Sequence, residues 1–130
     1  MKILAIRTDK PEAELYIYQD HKQLKKIIWQ ADRQLTEKLH QQLAKILDLL
    51  SISLEDLNGI VCYKGPGSFT GLRIGLTVGN ALAYSQDIPV VAADGNQWIK
   101  QGITKLLSGQ NERLALPKYG APAKTSCPRM

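Results

Sequence analysis

A glycine-rich turn near the middle of this 130-residue chain joins an apolar strand to a helix. Residues 59–63 are typical of a buried strand, and residues 64–71 read KGPGSFTG. Glycine adopts backbone conformations that are closed to other residues and lets a second chain come close, while Pro66 stiffens the turn. Ser68 or Thr70 has the side chain to cap the following helix. The segment therefore predicts a tight strand–turn–helix unit.

The helix predicted over Gly71–Ser85 carries a ridge of small residues. They stand at intervals of four and so align on one side of the helix: Gly71, Gly75, Gly79 and Ala83. Each glycine inside a helix costs about 1 kcal/mol relative to alanine, so the ridge indicates that another backbone packs very close. The sequence leaves two alternatives for what packs against the ridge: the domain's own sheet or first helix, and a helix of a second subunit.

The turn also has an interpretation as a nucleotide site, because free N–H groups at a helix start attract phosphate. It is not a Walker A loop, since no Gly-Lys-Ser/Thr follows at the required spacing. It does not fit GxGxxG either, because the third glycine comes one residue late. A structural turn and a nucleotide half-site therefore both remain open.

The remaining periodicity predicts an α/β domain with the order β-β-β-α-β-α-β-α. Antiparallel strands come first, and helices then alternate with parallel strands, which is the layout of an RNase H-like lobe of the actin-like ATPase superfamily with a mixed five-stranded sheet. The predicted strands are Ile3–Ile6, Leu15–Tyr18, Lys25–Trp29, Gly59–Tyr63 and Pro89–Ala92, and the predicted helices are Leu35–Leu50, Gly71–Ser85 and Asn96–Leu107.

The net charge of +5 lies entirely at the carboxyl end. The chain is neutral up to Ile99, and Glu112 alone then opposes six basic residues: Lys100, Lys105, Arg113, Lys118, Lys124 and Arg129. We expect a lobe over residues 1–107 and a basic, irregular tail over residues 108–130. Such a tail attracts nucleic acid through phosphate contacts, or it is a solvated end that aids solubility.

Other residue types narrow the class of protein. Cys62 and Cys127 lack CxxC spacing and indicate free thiols in a reducing compartment. His21 and His40 have no third ligand at useful spacing, so no metal site is expected. No apolar run approaches the roughly 20 residues of a membrane span, and the start is charged too early for a secretory signal. We expect a cytoplasmic protein.

Residues 64–75, KGPGSFTGLRIG, closely resemble the signature of the TsaB (YeaZ) family. The likeness extends over ISLEDLNGIVCY before the loop and NALAYSQDIPVVAAD after it, and covers roughly residues 1–102. The signature residues are Lys64, Gly65, Pro66, Gly67, Ser68, Phe69, Thr70, Gly71 and Arg73. Arg73 lies near a helix start, where a cation is unfavourable, so it binds an anion or a partner carboxylate, or extends to water.

The resemblance implies a catalytically silent subunit of the machinery that makes threonylcarbamoyladenosine (t6A) in tRNA. Its implied partners are a TsaD-like catalytic subunit and a TsaE-like ATPase, with tRNA met through the complex, and a homodimer is a further possibility. No cofactor is implied beyond ATP shared with a partner. The implied interface uses the first two helices, at Leu39, Leu43, Gly71, Gly75, Val78, Gly79, Leu82 and Ala83.

Two departures from the family pattern favour a scaffold over an enzyme. Arg7-Thr8 stands where actin-like proteins have Asp-Thr or Asp-Asn, and a cation there pairs with phosphate but does not hold Mg²⁺. The family's second lobe of similar size is missing, and residues 115–123, ALPKYGAPA, faintly resemble the usual family C-terminus. We expect a short form that does not hydrolyse ATP independently.

Overall fold

The computed structural model describes residues 1–31 and 35–117, with only the backbone of Phe69. The strands are β1 (Lys2–Arg7), β2 (Glu12–Gln19), β3 (Lys22–Gln30), β4 (Gly59–Tyr63) and β5 (Val90–Ala93). The helices are α1 (Leu35–Leu49), α2 (Phe69–Gln86) and α3 (Trp98–Leu107), with a 3₁₀ turn at Leu54–Asp56. The predicted order of elements is confirmed, and their ends move by a few residues.

The five strands form one mixed sheet in the order β3-β2-β1-β4-β5. β1 pairs antiparallel with β2, and β2 with β3, while β1 pairs parallel with β4, and β4 with β5. β4 is apolar throughout and β1 is apolar over Ile3–Ile6, because both faces of these two strands are covered. This topology confirms the predicted RNase H-like lobe.

The helices cover the two faces of the sheet unequally. On β4, the Val61 side chain lies against Gly102 of α3, and the Cys62 side chain lies against Gly79 of α2. Since alternate residues of a strand point to opposite faces, α2 and α3 occupy opposite faces. α1 shares the face of α2, because Ile74 of α2 packs against the buried cluster that Leu35 of α1 forms with Ala13 and Ala31. On the face that α3 occupies, this helix packs on β4 and β5. That face is therefore less covered at β2 and β3.

Residues 108–117 run past the edge of β5. The Val90 N–H donates to Asn111 Oδ1 (3.2 Å), and the Ala92 N–H donates to Glu112 Oε1 (3.1 Å). Asn80 of α2 then holds Ala115 from both sides, since its amide donates to the Ala115 carbonyl (3.0 Å) and accepts from the Ala115 N–H (2.8 Å). The start of the predicted tail thus contacts the lobe, and residues 118–130 lie outside the described range.

Cys62 is fully buried beneath α2, and its thiol is free among the described residues. Complete burial, with a smaller contribution from the charge of Glu112, raises the pKa of its thiol to about 12. The side chain therefore packs as a neutral thiol. Cys127 lies outside the described residues. Within residues 1–31 and 35–117, no helix has the length and apolar character needed to cross a membrane.

Candidate functional site

The signature loop (residues 64–71) leaves the carboxyl end of β4 and packs over the connection between β1 and β2. The peptide bond between Gly65 and Pro66 is cis, and Gly65 has a φ of 117°, a conformation that favours glycine. The Tyr63 hydroxyl donates to the Pro66 carbonyl (2.9 Å), and the Lys64 N–H donates to the Ala93 carbonyl (2.8 Å). The loop is thereby fixed to the sheet at both β4 and β5.

The glycines of the loop and of α2 bring the helix against the end of β1. A Cβ atom added to Gly67 would overlap the Asp9 carboxylate, and one added to Gly71 would overlap the Thr8 carbonyl oxygen. The Thr8 hydroxyl donates to the Gly71 carbonyl (2.5 Å) and accepts from the Gly75 N–H (3.0 Å). The hydrogen bonds of Thr8 thus hold the first turn of α2 against the sheet. Sequence reasoning missed this role.

The small-residue ridge packs inside the lobe. A Cβ atom on Gly79 would overlap the Cys62 sulfur and approach the Ile60 side chain (3.5 Å), while Ala83 is 4% exposed. The partner of the ridge is therefore the lobe's own sheet, one of the two alternatives. Assigning Gly71, Gly75, Gly79 and Ala83 to an intersubunit contact was wrong, because β1 and β4 already occupy that side of α2.

Leu39 and Leu43 were also wrongly assigned to the interface. They are 0% and 6% exposed, since the apolar stripe of α1 faces the sheet. Of the predicted interface residues, Gly71, Val78 and Leu82 are half-buried, and of these Gly71 lies against the Thr8 backbone.

The outer face of α2 is unusually poor in charge. Arg73 is the one charged residue of this 18-residue helix, whereas exposed helix faces ordinarily carry several charges. A groove of about 240 Å³ lies beside it, lined by Thr36, Thr70, Arg73, Ile74, Thr77 and Val78. The Tyr84 side chain is 90% exposed, and Leu114 and Leu116 are 57% and 61% exposed. We call Thr70, Arg73, Thr77, Val78, Ala81 and Tyr84 the outer face of α2.

Sequence reasoning missed half of this outer face, namely Thr77, Ala81 and Tyr84, although the sequence carries its signal. Residues 73, 77 and 81 follow the ridge positions 71, 75 and 79 by two places. Two places on a helix correspond to a rotation of about 200°, which is nearly the opposite side. A ridge on the core side therefore places Arg73, Thr77 and Ala81 on the solvent side.

Arg7 pairs with a carboxylate of the lobe itself. Its Nε lies 2.7 Å from Asp9 Oδ1, and its guanidinium carbon lies 3.7 Å from the centre of the Tyr63 ring. The Asp9 side chain is 4% exposed and lies against Gly67. An internal anion thus occupies the space beside the signature loop, and its charge disfavours a nucleotide phosphate there.

Glu14 is a second buried carboxylate near this end of the sheet. Lys10 Nζ lies 2.6 Å from Glu14 Oε2, and the Tyr16 hydroxyl donates to Glu14 Oε1 (2.7 Å). Burial is the largest single influence and opposes the charged form, but the hydrogen bonds and charges of Lys10, Tyr16 and Arg7 outweigh it and lower the pKa of Glu14.

This lowered pKa predicts a loss of stability in acid. The contribution of Glu14 is complete above the pKa of an unfolded glutamate, about 4.3, and disappears as the pH falls through the lower pKa of the folded state. We expect the urea midpoint of the wild type to fall more steeply than that of Glu14→Gln between about pH 5 and about pH 3. Parallel curves for the two proteins would contradict this role.

Within the described residues, no group of three His, Cys, Asp or Glu side chains is arranged to hold a metal ion. His21 and His40 lie on different elements, the β2–β3 turn and α1. The expectation that the chain binds no cofactor stays a prediction.

Known proteins share the fold of this lobe. The structure of YeaZ from Pseudomonas aeruginosa superposes with a TM-score of 0.67 at 24% identity, over 78% of this chain and 50% of that one. At this level of identity the likeness shows the fold, an RNase H-like lobe. A family model described as TsaD, tRNA N6-adenosine threonylcarbamoyltransferase, matches residues 29–102, more than half of the chain.

The chain belongs to this threonylcarbamoyltransferase family, and the relatives it matches are its TsaB (YeaZ) members. It is 29% identical over 125 residues to the tRNA threonylcarbamoyladenosine biosynthesis protein TsaB of Escherichia coli K12, covering 88% of this chain and 52% of that protein. It is 33% identical over 92 residues to TsaB of Bacillus subtilis 168, covering 71% and 40%. The chain thus spans about half the length of these relatives or less.

Proposed function

We propose that the chain is a non-catalytic subunit for synthesis of threonylcarbamoyladenosine in tRNA, and that it pairs with a TsaD-like catalytic subunit. Its relatives carry the name of this biosynthesis, and the matching family model carries the name of the transferase. A TsaE-like ATPase and tRNA belong to the same proposed assembly, in the cytoplasm. A homodimer through the same surface is a second form of the proposal.

The observation that carries the pairing is the outer face of α2. A helix face with one charged residue, an exposed tyrosine and a neighbouring apolar groove is suited to a partner rather than to water. Leu114 and Leu116 extend this surface, because with Arg73, Thr77 and Asn80 they line a second groove of about 220 Å³. Pairing would therefore use the outward side of α2, with the glycine ridge holding the helix on its sheet.

The polar contacts beside the signature loop support a silent role. Asp9 is held by Arg7, the Thr8 hydroxyl bonds the backbone of α2, and Glu14 is held by Lys10. A general base or nucleophile needs a free side chain within reach of substrate. These groups instead have structural partners within the lobe.

A single charge placed on the outer face tests this surface. Ala81 is exposed, so Ala81→Arg leaves the lobe folded, but in a complex it would bury an unpaired cation at a cost of about 3–5 kcal/mol. We expect binding to the TsaD-like subunit of the same organism, measured by biolayer interferometry, to weaken at least about 100-fold.

The matched control is Thr104→Arg, which places the same charge on an exposed position of α3, on the opposite face of the sheet. It should bind as the wild type does. Equal loss in both variants, or in neither, would show that the outer face of α2 is not the pairing surface.

A further inference from the structure

A wide groove lies on the face of the sheet opposite α1 and α2. It has a volume of about 650 Å³ and runs between α3 and the part of β2 and β3 that α3 leaves open. This volume lies within the roughly 300–1,000 Å³ of small-ligand sites. Its lining residues are Tyr16, Tyr18, His21, Gln23, Lys26, Asn96, Gln97, Trp98, Ile99, Lys100, Ile103 and Thr104.

Aromatic rings line the floor of this groove. Tyr16 and Tyr18 point to the same face because they alternate along β2, and their ring centres are 6.3 Å apart. The Tyr16 ring meets Trp98 of α3 edge-on at 6.1 Å, so the floor continues to the helix. Tyr18 is half-buried and therefore offers part of its ring to a ligand.

Cationic groups stand on both walls. Lys26 lies opposite Tyr16 in the β2–β3 register, and Lys100 projects from the first turn of α3. Both lysines are exposed, and none of the described lining residues is acidic. Asp20, beside His21 in the sequence, is bound to the α-amino group of Met1 (2.9 Å).

The start of α3 adds to the positive potential. Asn96, Gln97 and Trp98 all line the groove, so the first turn of this ten-residue helix opens into it. Gln97 does not cap the helix with its side chain, and the first turn has no acidic residue. Free N–H groups at a helix start favour an anion.

We infer that this groove binds single-stranded RNA, with a base against Tyr18 and phosphates near Lys26 and Lys100. Aromatic rings that receive bases, together with cations that follow the backbone, are how single strands are held without sequence preference. A protein partner fits less well, because lysine is depleted in protein–protein interfaces. The inference does not depend on the proposed pairing, which uses the opposite face.

The test measures binding of a short fluorescein-labelled oligouridylate to the full chain by fluorescence anisotropy over a range of salt concentrations. Lys26→Ala with Lys100→Ala should weaken binding about tenfold and reduce the slope of log K against log salt by about 1.4, two contacts at 0.7 each. Tyr18→Leu should also weaken binding about tenfold, within the range for one lost stacking contact, but leave the salt slope unchanged.

Lys25→Ala with Lys45→Ala is the matched control, since both lysines are exposed and neither lines the groove. A second variant replaces Lys118, Lys124 and Arg129 with alanine. Retained affinity in both controls, with loss in the groove variants, is the expected result. The inference is overturned if the wild type does not bind, if the tail variant alone loses binding, or if the groove variants change the oligomeric state and not RNA affinity.

Discussion

Replacing Gly79 with leucine should destabilise the lobe by about 3 kcal/mol or more, even though leucine favours a helix by roughly 1 kcal/mol over glycine. A single Cβ atom at this position already overlaps the Cys62 sulfur and approaches Ile60. Three further carbons have no space between α2 and β4. For a domain of this size we expect the melting temperature to fall by roughly 10 °C.

Ala81→Leu is the control for the Gly79 variant, because it adds apolar volume to the same helix at an exposed position. Its melting temperature, followed by circular dichroism, should stay within about 2 °C of the wild type. If the ridge faced a second subunit, Gly79→Leu would instead leave the isolated lobe stable and abolish only pairing. A stable Gly79→Leu monomer would therefore contradict the packing described here.

Replacing Arg7 with methionine should cost about 3 kcal/mol, because it leaves the Asp9 carboxylate buried without its cation. The guanidinium also stacks on the Tyr63 ring, and this contact is lost with it. We place the cost at the lower end of the range for buried pairs, since the Arg7 side chain is 18% exposed. Urea unfolding at neutral pH measures it.

The double variant Arg7→Met with Asp9→Asn separates the contribution of the two charges to stability from the contribution of side-chain packing. Because it removes both charges, it should recover a large part of the stability lost in Arg7→Met. Equal stability of the single and double variants would show that the Asp9 charge is solvated. The loop would then be held by its glycines, Thr8 and its hydrogen bonds to the sheet, without a contribution from the ion pair.

The order of elements was predictable because each has a distinct local period. The leucines of α1 recur at three and four places, and the short strands are bounded by turn residues. Local patterns of this kind do not depend on what packs against them.

The direction of the glycine ridge was not predictable, because a sheet and a foreign helix impose the same demand for small side chains. Gly75 and Gly79 indicate that another part of a protein packs close to the helix, but they do not indicate whether it is a sheet or a second helix. The direction of the ridge is set by its contacts with Thr8 and Cys62. These two residues reach the ridge because β1 and β4, which are distant in the chain, pair in the sheet. Asp9 likewise gains its role only when the end of β1 meets the signature loop at Gly67.

The groove beside α3 was missed for a related reason. The alternation of Tyr16 and Tyr18 on β2 was visible, but its exposure depends on how far α3 extends across the sheet. α3 packs on β4 and β5 and leaves these rings at its border, where Tyr16 meets Trp98. No local pattern in residues 96–107 predicts where α3 lies on the sheet.

Native mass spectrometry of this chain mixed with the TsaD-like subunit of the same organism tests the central claim, that this lobe is a partner subunit. A one-to-one or two-to-two complex that Ala81→Arg disrupts and Thr104→Arg preserves is the predicted result. A folded chain that stays separate from the catalytic subunit at every concentration tested would contradict the claim.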